Sequence, residues 1–144
     1  MGHKKIYLMA VVGLTFFLLA NLNGYSKEKW VSYAKAENGD EYYYDEASLK
    51  QVAKKVTQVW RMKRLSSSSK GDYVKRNKKY NSLDSVNSLA ELDCRKKTIK
   101  LLSLVYYDDK GNILDSYDDQ DSGRRLARPA SRTALLLNSV CSRP

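Results

Sequence analysis

The residues best equipped for chemistry are scarce in this chain. Its one histidine is His3, so the rest of the sequence has no imidazole to act as general base, activate a nucleophile or bind a metal. The SxxK spacing of a Ser-Lys dyad occurs at Ser67/Lys70 and at Ser32/Lys35. One example lies in a serine run and the other in a strand-like pattern, so the spacing carries no catalytic reading. Carboxylates cluster at Asp40, Glu41, Asp45, Glu46 and again at Asp108, Asp109, Asp115, Asp118, Asp119, Asp121. Asp119-x-Asp121-x-Gly123 begins like a calcium loop, but Arg124 stands where the turn glycine belongs and no bidentate acid closes it. A pair of acids for glycoside cleavage would need a cleft that a small domain rarely offers. No catalytic or metal-binding constellation emerges, and the chain does not read as an enzyme. The positive signal is basic. Lys70, Lys75, Arg76, Lys78 and Lys79 crowd one connection with Tyr73 and Tyr80 interleaved, and Arg95, Lys96, Lys97 and Lys100 form a second group. Brought together, the two groups would make a polyanion-binding surface with aromatic faces.

Bulk properties say where such a surface would work. The chain has 144 residues, the length of one domain. Lys4 and Lys5 precede an apolar run from Ile6 to Ala20, too short for a membrane span and suited to a signal peptide. Small residues at Gly24 and Ser26 predict cleavage after Ser26, with Ala20 as the alternative, so residues 1–26 read as a signal peptide and 27–144 as the exported domain. No membrane span follows, and no cysteine near the apolar run suggests a lipid anchor. Loss of Lys4 and Lys5 takes the formal charge from +10 to +8, still strongly basic. An exported protein of this charge, whether in the periplasm, on the outer surface or secreted, meets glycans, lipopolysaccharide or acidic proteins rather than nucleic acid. Cys94 and Cys141 are the only cysteines, and behind a signal peptide an even count predicts a disulfide.

Hydrophobic patterning supplies the elements. Trp30 to Ala36 alternates as a strand, Asn38-Gly39 is a hairpin turn, and Glu41 to Asp45 returns. Ala47 to Val52 is expected to be a short connection, and Lys55 to Leu65 a long third strand with Thr57, Val59, Arg61 and Lys63 sharing one face. Ser66 to Gly71 is expected to break the structure. Asp72 to Tyr80 follows as a short helix capped by Asp72, and Asn81 to Ser88 as a polar loop. Leu89 to Tyr117 is the organising stretch. Ala90, Leu92 and Cys94 share a face, and Arg95 to Lys97 form a bend. Thr98 to Tyr106 is apolar on both faces, which predicts an interior strand covered on both sides. Asp109 to Asn112 turns the chain into Ile113–Tyr117. After a charged loop, Pro129 and the N-cap Ser131 announce a terminal helix with Cys141 on its buried stripe.

One ordered set of residues stands out: Trp30, Tyr44-Asp45 with Ser48, Val59-Trp60, Asp93-Cys94, Tyr107-Asp108 with Gly111, Pro129 with Ser131, and Cys141. In this order the chain resembles the bacterial surface-adhesin protein E family over nearly all of residues 27–144. The resemblance implies an α+β fold, an antiparallel sheet of about six strands with a C-terminal helix on one face tied on by the disulfide. The patterning reaches the same plan. It also implies an adhesin-like binding module with protein partners, and an association with haem. His or Met ligation of haem is excluded here, since Met62 is the only methionine beyond the apolar run. A haem would need a tyrosine ligand or an apolar slot, with Tyr42, Tyr43, Tyr44, Tyr106 and Tyr107 as the tyrosine candidates, Tyr42, Tyr44 and Tyr106 foremost. No cofactor is otherwise expected. An edge strand or an uncovered apolar sheet face would also allow a homodimer.

Overall fold

A computed structural model describes residues 27–119 and 122–143. The expected signal peptide lies outside the described residues. β1 (Trp30–Lys35) and β2 (Glu41–Asp45) form the predicted hairpin. Gly39 makes its turn at φ +90°, a conformation that side chains resist, and a Cβ there would stand 3.4 Å from Cβ of Ser66. A single 3-10 turn (Glu46–Ser48) then leads into β3 (Lys50–Ala53). This strand replaces the connection expected at Ala47 to Val52. The reason lies in β4 (Val56–Arg64), which is longer than β2. β2 pairs with its Arg61–Arg64 end, and β3 takes up the partners left free at Val56–Gln58.

The next segment departs furthest from expectation. The serine run is the start of α1 (Ser67–Arg76), and Ser66, not Asp72, is the N-cap, accepting from the Ser69 N–H. Asp40 fixes this start. Its carboxylate accepts from Ser66 N and from Ser69 Oγ, both at 2.8 Å. A tertiary hydrogen-bond network thus overrides the weak helix propensity of serine. The helix stops at Asn77, and Lys78–Tyr80 is a separate 3-10 turn. Asn81 to Ser88 is no loop: β5 (Leu83–Asp93) begins inside it. Its buried positions include Ser85, Val86, Ser88, Ala90 and Leu92. Its small and polar residues mask the strand from a hydrophobicity reading.

β6 (Thr98–Asp108) is interior as predicted, between β5 and its neighbours β7 (Ile113–Asp118) and β8 (Arg125–Leu126). It is not covered on both sides: every residue along it is half-exposed. β7 pairs with Ser103–Tyr107 and β8 with Thr98–Ile99, so the charged loop contributes a short strand of its own. All eight strands form one antiparallel sheet with spatial order β1-β2-β4-β5-β6-β7. α2 (Arg132–Cys141), capped by Ser131 as expected, buries Leu136, Leu137 and Val140. They pack on Tyr44, Val59 and Leu92. Each fully buried aliphatic side chain adds roughly 1.5–3 kcal/mol. Cys94 and Cys141 are disulfide-bonded with Cα atoms 5.6 Å apart. A second core joins Leu65, Leu83 and Val86 to Tyr73 of α1, Tyr80, Leu104 and Tyr106. In the β4–β5 register, Val86 falls on the same face as Ala90 and Leu92, so both helices cover one face of the sheet.

Candidate functional site

The two basic groups do not form one surface. Lys70, Lys75, Arg76, Lys78 and Lys79 precede the start of β5, whereas Arg95, Lys96 and Lys97 follow its end. Eleven strand residues separate them, about 33 Å at the usual rise. The first group is also largely neutralised. Lys70 Nζ lies 2.8 Å from Asp84, Lys75 is 3.3 Å from Asp72, and Lys79 pairs with Asp115. The second group finds different neighbours. Cys94 N–H donates to the Lys55 carbonyl at 2.8 Å, which joins the β5–β6 turn to the β3–β4 turn. Lys54, Lys55, Arg95, Lys96 and Lys97 are thus brought to one end of the sheet, all exposed. Among the described residues none of these five has a carboxylate partner. Asp93 shapes the turn by accepting from Lys96 N and Arg95 N at 2.9 and 3.0 Å. The Lys96 N–H, and then that of Arg95, hold its carboxyl below the usual range despite the cost of burial.

The candidate tyrosines separate as well. Tyr44 is core: it is buried, and its hydroxyl accepts from Arg143 at 2.6 Å. That removes it from the accessible ligands. Tyr43 donates to Glu41, and Tyr107 lies with Trp30, Trp60 and Asn87 on the sheet face without helices. Tyr42 and Tyr106 line one cleft of about 420 Å³ on the helix-bearing face. Tyr33, Tyr73, Arg61, Lys63, Ser88 and Thr133 are among its other walls, with Arg132 at the start of α2. Arg61 Nε donates to Ser88 Oγ at 2.8 Å, and Lys63 Nζ reaches Asp40 at 2.9 Å. The Arg132 guanidinium lies 4.8 Å from the Tyr42 ring centroid. Burial pushes the Tyr33 phenol above its ordinary value, while Arg61 and Arg132 pull the other way.

Sequence reasoning missed Arg61, Lys63 and Arg132. The signal was present, because two cations follow Val59 on one face of β4. That face proves to be the covered one. Neither SxxK lysine turns to its serine: Lys70 is on Asp84 and Lys35 on Glu41. Among the described residues no group of three acids, histidines or cysteines is placed to hold a metal. Asp121 of the acidic loop lies outside them.

The surface-adhesin protein E family model matches residues 30–142. No curated protein matches the chain. Solved structures do, at low identity. A second crystal form of Haemophilus influenzae protein E aligns with a TM-score of 0.52 at 15% identity, covering 78% of this chain and 87% of that one. Two further structures of protein E from the same organism, one from a non-typeable strain, give 0.51 and 0.50 at 15% identity. They cover 83% and 75% of their chains, and 78% of this one. These likenesses concern the fold. With a family match across nearly all of the sheet and α2, the chain belongs to the surface-adhesin protein E family.

Proposed function

We propose that the chain is an exported, non-enzymatic binding module that contacts a polyanionic partner through basic loops, the partner being an acidic protein, a glycan or lipopolysaccharide. The observation that carries this reading is the meeting of Lys54 and Lys55 with Arg95, Lys96 and Lys97 at one sheet end, exposed and, among the described residues, in no salt bridge. Family membership and the lack of histidine in residues 27–144 support a binding rather than a catalytic role. Lys70, Lys75, Arg76, Lys78 and Lys79 contribute less, because three of them are already paired. Binding to immobilised heparin or lipopolysaccharide tests the reading. Charge reversal at Lys54, Lys55, Arg95, Lys96 and Lys97 should weaken retention more than reversal at Lys75, Arg76, Lys78 and Lys79. Binding should also fall as salt shortens the Debye length from about 10 Å at 0.1 M to about 3 Å at 1 M. Retention that ignores both changes would defeat the proposal.

A second reading, a periplasmic haem or small-ligand binder, draws support from Tyr42 and Tyr106 lining one cleft. Titration with haemin should then perturb the Soret band in a Tyr42- or Tyr106-dependent way. An unperturbed band removes this reading.

A further inference from the structure

The cleft between the helices does not end at α2. A second cavity of about 550 Å³ adjoins it and shares Arg61 and Thr133. It continues past Ser131 to Arg125 and Arg128. The two cavities together form a trough across the helix-bearing face, passing the first turn of α2. Arg61, Arg125, Arg128 and Arg132 line it, and among the described residues none of these four has a carboxylate partner. Lys63 adds a fifth cation, paired with Asp40, and Asp119 is the one acid on the walls among the described residues.

Two placements in this trough are costly without an anion. Arg61 is half-buried on the face that carries Val59, Ala90 and Leu92, with a neutral hydroxyl as its hydrogen-bond partner. Removing a guanidinium from water without a counter-charge is unfavourable. Arg132 sits in the first turn of α2, which holds no acid, so its charge opposes the positive end of the helix dipole. Thr133 follows it, and its side chain borders both cavities. An anion at the junction relieves both costs at once.

We infer that this trough binds an acidic glycan chain, with Arg61 and Arg132 gripping its carboxylate or sulfate groups and Tyr33, Tyr42, Tyr73 and Tyr106 flanking its sugar rings. The planar fork of arginine matches carboxylate and sulfate in a two-pronged hydrogen bond that lysine cannot make. Tyrosine offers a flat apolar face and a hydroxyl, which suits a polyhydroxylated ring better than a purely apolar wall. Each cavity falls within the usual range of ligand sites, roughly 300–1,000 Å³. Two adjoining cavities with cations in both fit a repeating acid better than a single small anion. The choice of a glycan over other polyanions rests on the proposed export of the domain. The trough is not lined by Lys54, Lys55, Arg95, Lys96 or Lys97, although its Arg128 end adjoins Lys97 through the Ala127 N–H bond to the Lys97 carbonyl.

The test uses residues 27–144 with intact disulfide, a heparin hexasaccharide and a hyaluronan hexasaccharide as probes, and amide chemical shifts. In the wild type, the hexasaccharide should shift resonances of Ser88, Thr133 and the first turn of α2. Arg61→Gln with Arg132→Gln should weaken binding by about tenfold, equivalent to about 1.4 kcal/mol. Shifts confined to residues 54–55 and 95–97, with binding unchanged in the double variant, would overturn the trough and leave the proposed function standing. No binding of either probe to the wild type would overturn the trough, while the proposed function would still be decided by retention on lipopolysaccharide. Shifts in the trough with a poly-glutamate peptide or single-stranded DNA, but with neither glycan, would refute the ligand class. Wild-type shift mapping decides the matter even if the double variant fails to fold.

Discussion

Asp40 shows how one side chain can organise three elements. It sits in the β1–β2 turn, is 1% exposed, and receives Ser66 N, Ser69 Oγ, Asn38 Nδ2 and Lys63 Nζ. Burial alone would raise its pKa, but the Ser66 N–H, Lys63 and Ser69 outweigh burial and hold its carboxyl well below the ordinary 3.8. The unfolded chain therefore takes up this proton first as pH falls. The stabilisation is complete above about pH 5 and is lost as pH falls below the ordinary value towards the lowered one. Asp40→Asn should destabilise the domain by about 2–3 kcal/mol at pH 7 in urea unfolding, with a smaller loss at pH 3. An equal loss at both pH values would show that shape rather than charge is what Asp40 supplies. Its role was invisible beforehand because its partners lie 26 and 29 residues away. Other acids carried local signals. Asp45 accepts from Ala47 N and Lys29 N, and Asp108 from Lys110 N and Asn112 N. These residues belong to the set that marked the family, so much of that signature is turn chemistry rather than ligand contact.

Among the elements, α2 depends most on a covalent tie. It is ten residues long, short for a helix to persist on its own, and its hold on the sheet is Leu136, Leu137, Val140 and the disulfide. Replacing Cys94 and Cys141 by serine should cost about 2–5 kcal/mol. Amide exchange in α2 should accelerate more than in β4 or β5, because the lost tie ends in α2 itself while the two strands keep their ladder to each other. Uniform acceleration everywhere would mean that α2 and the sheet open as one. The helix was legible from Ser131 and the spacing of Leu136, Leu137, Val140 and Cys141, since capping and burial act within a few residues. α1 was half legible. Its second half showed as a helix, but its start depends on Asp40, which no local pattern reports.

At the scale of the whole molecule the described residues cover the sheet on one side. The opposite face carries Tyr43, Trp60, Met62, Leu89, Val105 and Tyr107, half-exposed and alternating in register with the core positions. Such a face favours self-association. Sedimentation equilibrium should give a dimer at tens of micromolar, returned to monomer by Trp60→Lys; a monomer at all concentrations would count against it. Strand alternation, the Asn38-Gly39 turn, the terminal helix and the Cys94–Cys141 pair were determined by the sequence itself, because each rests on neighbours along the chain or on a count of two. Only the tertiary structure decided that β5 begins in a serine-rich stretch, and that Arg95–Lys97 stand beside Lys54 and Lys55 instead of the α1 lysines. It alone placed Arg61, Lys63 and Arg132 along one trough. The physical reason is the same in each case. Register and sheet order bring together residues tens of positions apart, and no local propensity encodes that distance.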